Sequence, residues 1–178
     1  MKFLLLGILS FLLPLAFIKL CYAIGTISVI RRTKGALFVS TSKAKIEAIL
    51  DELEGQANFH LVDLGCGDGR FLRAVYRRLG VAGEGYEINP WAYFLARLKN
   101  ILTGMPIKIY RKNFFEADLS KYDVIFFYLF PDLLLDLAPK LRKEAKPGAI
   151  FISANFPLPG FKPYKVLKVE DPIYFYRV

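Results

Sequence analysis

A chain of 178 residues, 54% hydrophobic, with a mean hydropathy of +0.35 and a net charge of +9, has length for one domain with a real core. Its two cysteines, Cys21 and Cys66, provide neither a disulfide framework nor metal-ligand spacing, and its single histidine, His60, argues against a metal site or a His-based triad. The positive charge suits nucleic acid, anionic lipid or an acidic partner, but no RNA-binding motif or interleaving of aromatic and basic residues accompanies it.

Much of the apolar excess lies in residues 3–30, which are apolar apart from Lys19 and a few small polar residues. A helix of that length exceeds the roughly 30 Å hydrocarbon core of a bilayer. Pro14 is expected to kink it, and Lys19 to snorkel or face a partner. A cleaved signal peptide is the rival, with Lys2 before Phe3 to Phe17 and a weak cleavage site at Cys21-Tyr22-Ala23. The apolar run continues to Ile30, however, and Arg31, Arg32, Lys34, Lys43 and Lys45 follow before the first acid, Glu47. The expectation is a single transmembrane anchor (1–34), N-terminus outside, its basic flank cytoplasmic and close to anionic headgroups. Cys21 reads as a small buried apolar residue rather than an acylation site.

Residues 35–42 form a turn before an amphipathic helix, Lys43 to Leu53, capped by Ser42 or Thr41, with Ile46, Ile49, Leu50 and Leu53 on its apolar face. Phe59 to Leu64 is an apolar strand with His60 a packed or edge residue. It opens through Asp63-Leu64-Gly65-Cys66-Gly67-Asp68-Gly69-Arg70 onto a helix, Phe71 to Leu79. Glycines at alternate positions let the backbone turn sharply and approach a ligand at the N–H groups that begin the helix. Gly83 to Ile88 is a short strand ending in Glu87, and a carboxylate about 20 residues past such a loop is placed to accept both hydroxyls of a ribose. The spacing G-x-G-x-G departs from the dinucleotide pattern G-x-G-x-x-G, so a nucleoside without a pyrophosphate fits better.

Asn89-Pro90 turns into a helix, Trp91 to Leu102, whose Trp91, Phe94, Leu95, Leu98 and Leu102 recur at helical spacing; Trp91 and Tyr93 read as core. Pro106 to Tyr110 is a third strand, followed by Asn113-Phe114-Phe115. Asp123 to Phe130 is an unbroken apolar run, expected as a central parallel strand buried on both faces. Pro131-Asp132 ends it and starts a helix that Lys140-Leu141-Arg142-Lys143 closes. Tyr128, Phe130 and Asp132 border the carboxyl ends of the strands, where ligands collect in open α/β sheets. Gly148 to Asn155 is a fifth strand, residues 156–163 a proline-rich loop, and Tyr164 to Val169 with Ile173 to Val178 a terminal hairpin.

The stretch Asp63 to Gly69 (with Gly65, Gly67 and Asp68) and the later Glu87 resemble the motifs of class I S-adenosylmethionine (SAM) methyltransferases. That resemblance implies a three-layer, mostly parallel Rossmann-like α/β sheet with an antiparallel C-terminal hairpin over residues 35–178. It implies SAM as cofactor, Asn113 as partner of the adenine amine with Phe114 beside it, and a cytosolic active site. Phe38-Val39-Ser40-Thr41 and Tyr128-Leu-Phe-Pro-Asp-Leu resemble a narrower family, small membrane-anchored protein-lysine methyltransferases whose animal mitochondrial members modify the ATP synthase c subunit and the adenine nucleotide translocase. Ser40 stands where those members often carry proline. By this resemblance Phe38, Ser40, Thr41, Phe130 and Pro131 lie on the substrate side; by position along the sequence Asp132 is the candidate to assist removal of a proton from the acceptor, and Tyr128 or Asn155 to orient the amine. The implied partners are a protein with a methylatable lysine and, through residues 3–30, membrane lipids. A lipid or quinone acceptor and a SAM-binding scaffold without turnover are the alternatives; nucleic acid fits less well, since Tyr128-Leu-Phe-Pro replaces the Asn/Asp-Pro-Pro-Tyr type motif of base N-methyltransferases.

Overall fold

The computed structural model describes residues 2–29, 39–56 and 58–178; Phe38 and the basic residues Arg31, Arg32 and Lys34 lie outside them. Among the described residues five α-helices and seven strands follow in the order α1 (Lys2–Val29), α2 (Lys43–Leu53), β1 (Leu61–Leu64), α3 (Arg70–Leu79), β2 (Glu84–Tyr86), α4 (Pro90–Thr103), β3 (Lys108–Tyr110), β4 (Val124–Phe127), α5 (Pro131–Glu144), β5 (Ile150–Ala154), β6 (Lys165–Val169) and β7 (Asp171–Arg177). Two short 3-10 turns, Phe114–Glu116 and Leu119–Lys121, join β3 to β4.

The strands form one mixed sheet in the order β3-β2-β1-β4-β5-β7-β6. β1 to β5 run parallel; β7 pairs antiparallel with both β5 and β6. The apolar runs of β1, β4 and β5 are buried at every position, as a strand covered on both faces requires. Side chains alternate across the pleat. Val124 and Phe126 join Ile46, Ile49, Phe71 and Leu72 of α2 and α3 in one core. Ile125 and Phe127 face the other way and join Leu133, Leu134, Leu137 and Leu141 of α5 in a second. Each fully buried Phe or Leu contributes about 1.5–3 kcal/mol by leaving water, so the two cores hold the sheet rigid under its loops.

One expectation is narrowed to one of its two alternatives and two placements differ. His60 precedes β1 with its side chain 78% exposed and its backbone N–H donating to Asp123, so it is an edge residue. Of the apolar face read from α4, Phe94, Leu98 and Leu102 are exposed, as is Ile101 beside them, and Trp91 and Leu95 are half-buried; the face turned to the domain carries Ala92, Ala96 and Asn100. Small residues win that face because α4 comes close to the glycine loop, where Ala96 Cβ would lie 3.5 Å from a Cβ on Gly69. Trp91 and Tyr93 are half-buried, not core.

α1 is continuous through Pro14. Its stretch Leu12–Val29 is long and apolar enough to cross a membrane. Leu12, Leu13, Phe17, Leu20, Ile24 and Ile27 are exposed. Among its described side chains the buried ones, Thr26 and Val29, lie with Gly25 in its last turns, where a Cβ on Gly25 would meet Asn89 Oδ1 at 2.9 Å and Trp91 Cβ at 3.1 Å. There Asn89 Nδ2 donates to the Thr26 hydroxyl at 3.3 Å.

Candidate active site

Sheet order reverses between β1 and β4, and the crevice at their carboxyl ends is where an open α/β sheet takes a ligand. The chain leaves β1 through a backbone that only glycine follows without strain: φ is +82° at Gly65, +55° at Gly67 and +73° at Gly69. Gly65 and Cys66 both donate to the Tyr86 carbonyl, at 2.9 and 3.0 Å, which pins the loop to the end of β2. Gly69 is the N-cap of α3 in the left-handed region and offers no side-chain cap.

Glu87 follows β2 and turns its carboxylate under that loop. Oε2 accepts the Gly67 N–H at 2.8 Å and Oε1 the Asn89 N–H at 2.7 Å. Burial raises its pKa, and the N–H groups of Asn89 and Gly67 pull it part of the way back. Asp63, at the end of β1, is buried beside it; burial first, then the charges of Glu87 and Asp68, push its carboxyl well above the usual range. Asp68 goes the other way. Burial alone would raise it, but hydrogen bonds and charge from Arg70 (Nε, 3.0 Å) and Lys99 (Nζ, 2.7 Å) hold it at about 2. Its carboxylate therefore clamps α3 to α4 while it also lines the cleft. Asn113 caps the 3-10 turn after β3, its Oδ1 accepting the Phe115 N–H at 3.1 Å, with Phe114 half-buried beside it and its ring 4.5 Å from that of Phe115.

Ser40 and Thr41 lie against the same cleft as Asp63, Gly65 and Tyr128. Tyr128 follows β4, and its hydroxyl accepts from Asn155 Nδ2 at 2.7 Å. Asn155, just past β5, adopts φ +71°, a left-handed conformation that Asn tolerates better than most side chains. Its Oδ1 accepts from Lys45 Nζ, and its Nδ2 also donates to Asp171 Oδ2 at 3.1 Å. Lys45 reaches Asp171 Oδ2 at 2.8 Å, with Nζ 5.5 Å from the centre of the Tyr128 ring. The hydrogen bond from Lys45, and then its charge, lower the pKa of Asp171.

Lys45 and Asp171 escaped the sequence reading. One signal could have exposed Lys45: it stands four residues before Ile49 on the buried face of α2 and is only 3% exposed, a place a lysine takes only with partners. Asp171 offers no such signal. Phe130 and Pro131 begin α5 at the surface, the Phe130 ring 6.2 Å from that of Phe156. Asp132, in the first turn of α5, is exposed, and like Glu87, Asn113 and Asn155 it is not among the residues lining the cleft.

A solved structure of like geometry holds S-adenosyl-L-homocysteine. An RNA methyltransferase from Salinibacter ruber, in complex with S-adenosyl-L-homocysteine, matches with a TM-score of 0.74 and 29% identity over 79% of this chain and 94% of that one. Fold and cleft together define a Rossmann-like, SAM-dependent methyltransferase. Residues 63–165 match the ANTKMT methyltransferase domain, and the chain belongs to that family. A protein-lysine N-methyltransferase of Saccharolobus islandicus is 36% identical over 138 residues, 75% of this chain and 85% of the relative. The adenine nucleotide translocase lysine N-methyltransferase of Mus musculus is 33% identical over 144 residues, 79% of this chain but 62% of its own length.

The residues present fit the cofactor. Gly65 lines the cleft with bare backbone, and a β-carbon there would press on the core at Leu129 Cδ2, 3.2 Å away. Glu87 is oriented by two backbone donors, and each carboxylate oxygen keeps a further lone pair for a hydroxyl donor.

Proposed function

We propose that the chain is a membrane-anchored protein-lysine methyltransferase. Residues 1–34 act as a single-pass anchor and residues 35–178 as a cytoplasmic catalytic domain. The observation that carries the reading is the shared cleft: Ser40, Thr41 and Tyr128 meet the glycine loop and Asp63 in one crevice, so an acceptor entering past 40–41 arrives at the cofactor's end. The lysine acceptor is favoured by the names of the relatives in Saccharolobus islandicus and Mus musculus.

Bound SAM supplies an electrophilic methyl on a sulfonium, which an amine lone pair displaces in line, releasing S-adenosylhomocysteine. On this reading Glu87 accepts the ribose hydroxyls, the backbone of Gly65, Gly67 and Gly69 lies against the cofactor, and Asp63 and Asp68 shape the loop around it. Asn113 and Phe114 border the adenine. Tyr128 and Asn155 orient the acceptor amine, since Asn155 commits its amide to the Tyr128 hydroxyl and leaves that oxygen fixed at the cleft. Held below the usual carboxylate range, Asp171 stays ionised and attracts an approaching ammonium; the proton leaves to water before attack. Alignment of the two reactants carries most of the rate, with no metal needed for the displacement.

The test is full-length protein with methyl-labelled SAM and native membranes, followed by separation into protein, lipid and RNA. Label on a lysine of a membrane protein is expected. Label in lipid or quinone would move the acceptor to a small molecule, and label in RNA would align the chain with the Salinibacter ruber enzyme. No label in any fraction, with S-adenosylhomocysteine still binding, would leave a SAM-binding scaffold.

A further inference from the structure

We propose that α4 is an interfacial helix that lies in the surface of an anionic lipid bilayer and sets the height of the active site above it. This rests on the reading of α1 as a membrane anchor and adds a second, independent contact with lipid.

Four large apolar side chains of α4 stand in water: Phe94, Leu98, Ile101 and Leu102 are 52%, 38%, 69% and 75% exposed. Their spacing of four, three and one residues makes one stripe along an α-helix. A stripe of that size on a soluble surface marks a contact. Helix propensity does not demand it, because alanine or glutamate would serve as well at exposed helical positions.

The occupant is indicated by what the stripe joins. α1 packs on the N-terminal end of α4 through Gly25 and Thr26 against Trp91 and Asn89, and its own exposed surface at Leu20, Ile24 and Ile27 is apolar. The two apolar surfaces therefore meet at Trp91, and a bilayer that takes α1 up to its last turns arrives at the start of α4. Residues there suit that depth: Trp91 and Phe94 stack with ring centres 5.8 Å apart, and Tyr93 carries a hydroxyl that accepts from Arg97 at 3.2 Å. Indole and phenol rings prefer the boundary between headgroup and acyl chain. The helix holds no acid; of its two cations Lys99 is paired with Asp68 and Arg97 is exposed, and Arg111 and Lys112 are exposed just past β3. Apolar stripe and cationic flanks together are the pattern of helices that lie on anionic lipid. A second copy of the chain or a soluble partner would be served by the stripe but not by its junction with α1.

The consequence reaches the cofactor. Asn89 caps α4 through its side chain, touches α1 through Thr26 and donates its N–H to Glu87, so α1, α4 and the ribose carboxylate share one residue. A chain seated on lipid through both helices holds that residue from two sides.

Trp91 is the sole tryptophan, which supplies the test. The full chain carrying W91F and L102W has its only indole at the far end of α4, about 16 Å from position 91. It is reconstituted into vesicles of phosphatidylcholine and phosphatidylglycerol, with and without bromine on the upper acyl carbons. The expected result is blue-shifted indole emission that brominated lipid quenches, weaker in vesicles lacking phosphatidylglycerol. The same indole moved to α5 (W91F with L135W) stays unquenched. Flotation with the vesicles but no quenching at position 102 overturns the inference and leaves the anchor intact. Failure to float overturns both. A blue shift in detergent that grows with protein concentration assigns the stripe to a second copy and overturns it as well.

Discussion

The two ends of the cleft are built in opposite ways. At the cofactor end Asp63, the glycine loop and Glu87 fall within 25 consecutive residues, and the contacts that fix them are backbone ones: Tyr86 to Gly65 and Cys66, Gly67 and Asn89 to Glu87. At the acceptor end Lys45, Tyr128, Asn155 and Asp171 come from four separate segments, and their contacts are side chain to side chain across as many as 126 residues. Electrostatics differ as well. The cofactor end crowds two carboxyls, Asp63 and Glu87, whose pKa values burial raises, beside Asp68, which Arg70 and Lys99 keep low, whereas the acceptor end sets a buried lysine against a single carboxylate kept low. A site held by backbone tolerates drift in its surroundings; one held by long side chains fails as a unit when one member is lost.

Substitutions can break that contrast, in order of expected size. Glu87→Ala removes both ribose acceptors and is expected to weaken S-adenosylhomocysteine roughly 100-fold by calorimetric titration, the scale of two hydrogen bonds to a charged group. Affinity that holds would remove Glu87 from the cofactor site. Tyr128→Phe is expected to lower turnover about tenfold, one oriented hydrogen bond, with that affinity unchanged. Weaker S-adenosylhomocysteine with turnover per bound cofactor intact would place the hydroxyl at the cofactor end instead. Lys45→Met leaves Asn155 and Asp171 without their common donor. A melting temperature lower by roughly 5 °C is expected, with turnover reduced and cofactor affinity held; a variant as stable and active as the parent would mean the network does not act as a unit. Asp132→Asn, outside the cleft lining, is expected to leave turnover within about twofold, and a larger fall would restore Asp132 as a participant in proton removal.

The carboxyls give a pH test of the same contrast. Asp63 and Glu87 hold their protons to higher pH in the fold than in the unfolded chain. Stability without cofactor therefore declines as pH rises from about 4, where such groups ionise once unfolded, until they ionise in the fold. The melting temperature of Glu87→Gln should decline less steeply over that range. Asp171 and Asp68 act oppositely: both are held low, so their contribution is present above about pH 4 and disappears as pH falls through their folded values.

Much of the fold was legible because its signals are local. The helix expected over Lys43 to Leu53 forms over those residues with Ser42 as cap. The apolar runs of β1, β4 and β5 are central strands, shorter at their ends by one to three residues, where the chain turns into loops. The reading of Trp91 and Tyr93 as core failed because periodicity locates an apolar face without saying what it faces. Ala92, Ala96 and Asn100 lie on the opposite side, and close approach to the glycine loop selects them.

By itself the sequence determined the glycine turn, the acid after β2 and the run of strands and helices, hence the class of cofactor. Each of these depends on φ angles, burial on both faces, or spacing within about 25 residues, and such constraints are written in neighbouring positions. The tertiary structure alone decided that Lys45 meets Asp171 and Asn155, that Asp132 is exposed at the start of α5, and that α4 turns its large apolar residues outward beside α1. Those outcomes depend on how whole elements are oriented once the sheet closes, and no short window of sequence contains that orientation.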